Sequence, residues 1–233
     1  MGYFNNINLN NYRNFSNFSL DFSNESNVLL GKNGSGKTNI LEAISLLEKG
    51  RGFRKEKIIN LNNFNEINKG FIIKSNFLDN RNEYNIKVFS SEKNLKKKSI
   101  NENFEKDSIN YFESLFSIIY FLPEMERFFT SSPSFRRNFL DRLIFTSDKN
   151  YNSIVNNYKK AINERQMILK NKTYDNSWIE KIENNIVNYG SIIYEKRISH
   201  IKIINQILKE INIIKNFSDD FILKIDDDLL KEN

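Results

Sequence analysis

Gly31-Lys32-Asn33-Gly34-Ser35-Gly36-Lys37-Thr38 is the stretch on which the reading of this 233-residue chain turns. It fits Gly-x4-Gly-Lys-Thr, the Walker A phosphate loop. A triphosphate needs these residue types in this order. Glycines let successive backbone N–H groups curl around an anion, and a helix that starts directly after the loop presents its positive end to it. The flanks agree with that setting. Asn27-Val28-Leu29-Leu30 is short and apolar, which predicts a buried central strand that aims the loop. Ile40, Leu41, Ile44 and Leu47 then recur at helical spacing, with Gly50 as a natural stop. In this pattern Lys37 reaches the β- and γ-phosphates and the Thr38 hydroxyl ligates Mg²⁺. Lys32, Asn33, Gly34 and Ser35 complete the cradle between Gly31 and Gly36.

Upstream of the loop, residues 3–9 and 18–22 alternate apolar and polar side chains, as a half-buried antiparallel pair does. Asn11-Tyr12-Arg13-Asn14-Phe15 forms the turn between them. Downstream, strands are predicted at 69–78, at 84–89 and after the lysine-rich turn of Lys93 and Lys96 to Lys98. A brief helix starts near Asp107 or Ser108, and 117–122 reads as a further buried strand. Elements thus alternate β and α around a sheet. Near residue 130 the character changes. Ser132-Pro133 is an N-cap followed by proline at the first helical position, and long helices follow at about 149–171 and 176–214. An extended pattern returns at 221–225. The expected architecture is α/β: a nucleotide-binding lobe at 1–128, a helical lobe at 129–214, and a return toward the first lobe at 215–233.

Composition narrows the chemistry. The chain has no cysteine, which removes disulfides, thiolate metal sites and a cysteine nucleophile. One histidine, His200, cannot build a multi-histidine centre. There is no run of 18 apolar residues, so no spanning helix is expected. The start of the chain has no signal-peptide core and position 6 is Asn, which argues against myristoylation of Gly2. These features suggest a soluble intracellular protein. The net charge of +6 and pI near 9.2 suit a nucleic-acid partner. The abundance of Asn, Ile and Lys equally suits an AT-rich genome.

Two parts of a complete P-loop ATPase are not found. A second buried strand ending in an acid should hold Mg²⁺ and polarise water. Pro123-Glu124 after 118–122, and Ile225-Asp226, only imitate it. No Leu-Ser-x-Gly signature occurs.

Several blocks together carry a family resemblance. Asn11 to Phe15, the loop with its extension Asn39-Ile40-Leu41-Glu42-Ala43-Ile44, and Gly50-Arg51-Gly52-Phe53-Arg54 form the first group. Phe121-Leu122-Pro123-Glu124-Met125 and Ser132-Pro133-Ser134-Phe135-Arg136-Arg137-Asn138-Phe139-Leu140-Asp141 form the second. Over residues 3 to about 215 the chain resembles the RecF family of recombination mediators, among the SMC-like ATPases. The resemblance implies an ABC-type ATPase head with a β-rich lobe and an inserted helical lobe. It also implies ATP-dependent homodimerisation, binding to gapped DNA, slow hydrolysis and help in loading the RecA recombinase. RecR- and RecO-type mediators would be partners, and the location would be the cytoplasm, at the nucleoid.

The family continues into the signature motif, Walker B and D-loop, so the chain reads as an N-terminal fragment with negligible ATPase activity of its own. A smaller departure is Ile100-Asn101-Glu102-Asn103, where the family places Asn-Gly in a hairpin. Residue by residue, the resemblance puts Arg13 and Tyr12 near the adenine. Glu124 falls at the lobe junction with a Mg²⁺ or water contact. Arg51 and Arg54, with Arg136 and Arg137, lie toward DNA phosphate. A plain helix-end role explains one of the first two arginines, and the lysine-rich turn reads as solvated. Trp178, with Ile182 and Ile186, reads as core. An ABC-transporter ATPase subunit and a P-loop kinase stand as alternatives. The first would need a glutamine at the lobe junction, the second an acceptor site.

Overall fold

A computed structural model describes residues 2–66, 69–90, 95–171, 176–215 and 222–226, without the side chains of 124, 171 and 213–215. Contacts divide it into two compact units, Met1–Tyr120 and Phe121–Asn233. The division falls eight residues earlier than the sequence suggests. The 3-10 segment Pro123–Thr130, which carries Glu124, therefore goes with the helical unit.

The first unit is built on an antiparallel sheet. Its strands are β1 (Tyr3–Phe4), β2 (Asn6–Tyr12), β3 (Phe15–Asp21), β4 (Ile72–Leu78), β5 (Glu83–Ser90) and β6 (Lys96–Ile100). The order is β3-β2-β4-β5-β6, with β1 paired to β4. Register follows the predicted alternation: Ile7 and Leu9 of β2 and Ile86 and Val88 of β5 point to one side and are buried. On that face lie α1 (Lys37–Ser45) and α2 (Lys106–Ser114), which add Ile40, Ala43 and Phe112 to the core. Burying such side chains contributes about 1.5–3 kcal/mol each.

The turn after β6 explains the missing Asn-Gly. Asn101 and Glu102 both have positive φ (49° and 64°). Ile100 and Asn103 exchange two backbone hydrogen bonds of 2.9 and 2.8 Å across them. The tight turn that the family fills with Asn-Gly is thus kept, at a conformational cost on Glu102.

Two predicted strands are not strands. Residues 27–30 and 117–122 form no ladder among the described residues. Val28 is 77% and Leu30 88% exposed, and Ile119 and Phe121 are also exposed. An apolar run is necessary for a central strand, but neighbours on both sides are needed to bury it.

The second unit holds α3 (Pro133–Ser147), α4 (Tyr151–Asn171) and α5 (Asn176–Lys215). Ser132 caps α3 as expected, its hydroxyl accepting from the Phe135 N–H. Ile144, Tyr151, Val155 and Ile193 form one small core, and Ala161, Ile168 and Ile182 another. Trp178 is half exposed, so it is not core; Ile182 is. Residues 222–226 are irregular, and Leu223 exchanges two hydrogen bonds with the Asn205 amide of α5. They therefore lie against the helical unit rather than back on the sheet; 216–221 and Lys93 fall outside the described residues. No helix among the described residues is long and apolar enough to cross a membrane.

Candidate nucleotide-binding site

The loop 31–36 turns through a Ser35 N–H to Lys32 carbonyl bond of 3.2 Å and enters α1 at Gly36. Gly34 and Gly36 have φ of 84° and 99°, a region that disfavours any side chain. At Gly36 the restriction is doubled, because an added Cβ would lie 2.4 Å from the Phe15 ring and 2.8 Å from the Asn14 amide. The β2–β3 turn therefore abuts the start of the helix. No side chain caps α1, and its first turn has no acidic residue. Its leading N–H groups and dipole are left for an external anion. Lys37 Nζ donates to the carbonyls of Gly31 (2.6 Å) and Lys32 (2.8 Å), within the cradle. Thr38 is exposed. Among the described residues no cluster of three or more His, Asp or Glu could hold a metal. A Mg²⁺ here would rest on the Thr38 hydroxyl and on phosphate oxygens, a donor set that suits this hard cation.

One turn beyond Thr38 lies a residue whose role the sequence did not reveal. Glu42 is 1% exposed, yet it is a carboxylate. Arg13 grips it with two parallel bonds, Nε to Oε2 at 2.8 Å and Nη2 to Oε1 at 2.7 Å. The Tyr12 hydroxyl donates to Oε2 at 3.0 Å, and Arg54 reaches the same oxygen at 3.3 Å. Burial, then the neighbouring Glu42 charge, push the Tyr12 phenol far above its usual range. Burial opposes the charge on Arg13, but the Glu42 hydrogen bonds and charge outweigh it and hold the guanidinium above its ordinary value. The network joins the β2–β3 turn to α1 and so sets the direction in which the helix N-terminus points. Arg13 itself has φ of 53°, unusual for a residue with a side chain, and its N–H is held by the Leu61 carbonyl.

The geometry gives Arg13 a structural part that the sequence did not suggest: its Nη1 donates to the Asn60 carbonyl and its other nitrogens to Glu42, so the guanidinium holds α1. Arg54 is likewise drawn inward, to Asn39 at 2.9 Å and to Glu42, with its side chain 35% exposed. Arg51 remains exposed, with a long 3.4 Å contact to the Glu56 carbonyl. Lys96 and Lys98, read as a solvated turn, instead donate to the carbonyls of Gly50 and Leu47 after α1. Lys98 also pairs with Glu113. In the helical unit, Arg136 donates to the carbonyls of Phe129 (3.1 Å) and Ser131 (2.6 Å). Those acceptors resolve the conflict of a cation in the first turn of a helix. Arg137 is exposed. The Glu124 side chain lies outside the described residues.

Comparisons with known proteins bear on the family and the fold. The family model described as AAA ATPase domain matches residues 3–232. The DNA replication and repair protein RecF of Rickettsia typhi is 33% identical over 215 residues, covering 88% of this chain and 56% of the relative. RecF of Rickettsia prowazekii is 32% identical with the same coverage. The chain thus spans a little over half the length of the curated relatives it matches. Among solved structures, the recombination mediator protein RecF-ATPrS in the RecFOR pathway superposes with a TM-score of 0.80 at 29% identity, covering 92% of this chain and 58% of that one. RecF-ATP gives 0.76 at the same identity, covering 92% and 59%. The RecF resemblance carried by the sequence blocks therefore holds along nearly the whole chain. With its phosphate loop, sheet and matched span together, the chain belongs to the AAA ATPase domain family.

Proposed function

We propose that this chain is the nucleotide-binding part of a RecF-like ATPase of DNA replication and recombinational repair. It binds ATP with Mg²⁺ at residues 31–38 and holds DNA as an ATP-dependent homodimer. The observation that carries the reading is the uncapped start of α1 behind two left-handed glycines, with Lys37 folded into the same cradle. Bound ATP supplies a dense anion whose γ-phosphate distinguishes two states. The chain's own residues do the rest. Lys37 exchanges its two carbonyl acceptors for phosphate oxygens, trading neutral hydrogen bonds for stronger charge-assisted ones. The first N–H groups of α1 bind the same anion, and Thr38 holds the metal. Glu42 and Arg13 keep the helix aimed while this happens. Glu124 is proposed as a contact to the metal or to water.

DNA phosphate is assigned to exposed cations, Arg51 and Arg137 first. Arg54 and Arg136 play that part only through nitrogens not already bonded to the protein. RecR- or RecO-type mediators and RecA are the proposed partners, and the nucleoid in the cytoplasm the proposed place. The test is a mobility-shift series with gapped and blunt duplex DNA, with and without ATP, over rising salt. Binding that strengthens with ATP, prefers the gap and weakens with salt supports the function. Binding absent at low salt in both nucleotide states would overturn it.

A further inference from the structure

The helical unit contains a groove of about 670 Å³ between α3, α4 and α5. It is formed by one face of each helix. Ser134, Arg137 and Asn138 of α3 stand at i, i+3 and i+4, with Asp141 one turn further, and Lys159 and Arg197 border it from α4 and α5. The volume lies within the range of small-ligand sites.

Charge decides what such a groove accepts. Asp141 is the one carboxylate among its lining residues. Both its oxygens are occupied: Oδ1 accepts from Tyr151 (2.6 Å) and Arg197 Nε (2.8 Å), and Oδ2 from Arg197 Nη2 (2.8 Å). That bidentate pair cancels the acid against Arg197. Arg137 and Lys159 then remain, both exposed and without a hydrogen bond or ion pair among the described residues. The groove therefore carries two uncompensated positive charges, with the Ser134 hydroxyl and Asn138 amide beside them.

Gly190, inside the 40-residue helix α5, also borders the groove, and a Cβ there would meet the Tyr158 ring at an ordinary contact distance of 3.4 Å.

We propose that this groove is a binding site for the phosphate of a nucleotide unit, contacted by Arg137 and Lys159. The source is a single strand of DNA, which exposes its phosphates one nucleotide at a time. A cationic groove that follows one strand is the usual basis of sequence-independent recognition. The choice of DNA as the source rests on the function proposed above; the phosphate chemistry rests on the groove alone.

The test uses the full 233-residue chain, fluorescein-labelled dT12, and the exposed double variant Arg137→Gln/Lys159→Gln. Fluorescence anisotropy should show dT12 affinity falling about a hundredfold, tenfold for each charge-assisted contact. The slope of log affinity against log salt should shrink by about 1.4, or 0.7 per lost phosphate contact. The charge-keeping variant Arg137→Lys/Lys159→Arg should retain most of the binding, which separates contact from misfolding. Competition by dTMP distinguishes the sources. Displacement only at concentrations far above those of dT12 supports a strand. Displacement at equal concentration overturns the strand and assigns the groove to a free nucleotide. A parent chain that binds dT12 while the glutamine variant binds equally well would overturn the site. A parent chain that binds neither gapped duplex nor dT12 would overturn the nucleic-acid reading itself.

Discussion

Replacing Glu42 by glutamine keeps the volume and one acceptor oxygen but removes the charge that Arg13 faces. The side chains are 2% and 11% exposed, so little water is available to take over. Two opposite charges about 4 Å apart at an effective dielectric of about 20 attract by roughly 4 kcal/mol. Removing one partner of a buried pair generally costs about 3–5 kcal/mol, because the other charge stays buried without compensation. Arg54 adds little, since its longer 3.3 Å contact comes from a side chain 35% exposed. The expected loss for Glu42→Gln is therefore about 3–5 kcal/mol. For a unit of this size that lowers the melting temperature by roughly 10–20 °C.

Urea unfolding followed by far-UV circular dichroism measures the loss. The double variant Arg13→Met/Glu42→Leu, which removes both charges together, should recover most of it. The same substitution should weaken nucleotide binding, because Glu42 joins α1 to the β2–β3 turn that abuts Gly36. A Glu42→Gln protein within about 1 kcal/mol of the parent would refute the idea that this network holds the loop in place.

Two further predictions follow from local chemistry. Burial first, and the charge of Lys98 second, lower Lys96 from 10.5 to about 8, with Glu113 opposing. Between these values the unfolded chain carries a proton that the folded chain has released. Lys96 thus makes stability rise with pH from about 8 to about 10.5, by less than about 1.4 kcal/mol per pH unit. Lys96→Met removes the buried charge, so its urea midpoint should exceed the parent's most at pH 7.5 and the two should draw together through pH 8.5 and 9.5; parallel lines would contradict this. Glu102 sits at a positive φ that glycine adopts freely, so Glu102→Gly should raise stability by about 0.5–1 kcal/mol. A loss of stability would show that the turn is not strained there.

Much of the fold was readable from local pattern. The alternation in β2 and β3, the Ser132-Pro133 start of α3 and the two long helices all depend on residues close in sequence. The errors came where the deciding partner is distant. Val28 and Leu30 have the composition of a central strand, but composition does not supply neighbouring strands. The ion pair of Arg13 has no local signature, because its carboxylate partner lies 29 residues further on. Glu42 could have been suspected: it adjoins buried Ala43 and stands one turn before buried Leu46. An acid in that position needs a buried cation, and a search for one leads to the β2–β3 turn. Lys96 and Lys98 looked solvated because the backbone carbonyls they cap have no signature in sequence.

The most direct test of the account is calorimetric titration of the chain with MgATP, beside Lys37→Ala. Loss of a charge-assisted contact to phosphate should weaken affinity by roughly 10- to 100-fold. The account predicts measurable binding by the parent chain and a loss of that size in the variant. No binding by a folded parent chain, or equal binding by Lys37→Ala, would contradict it.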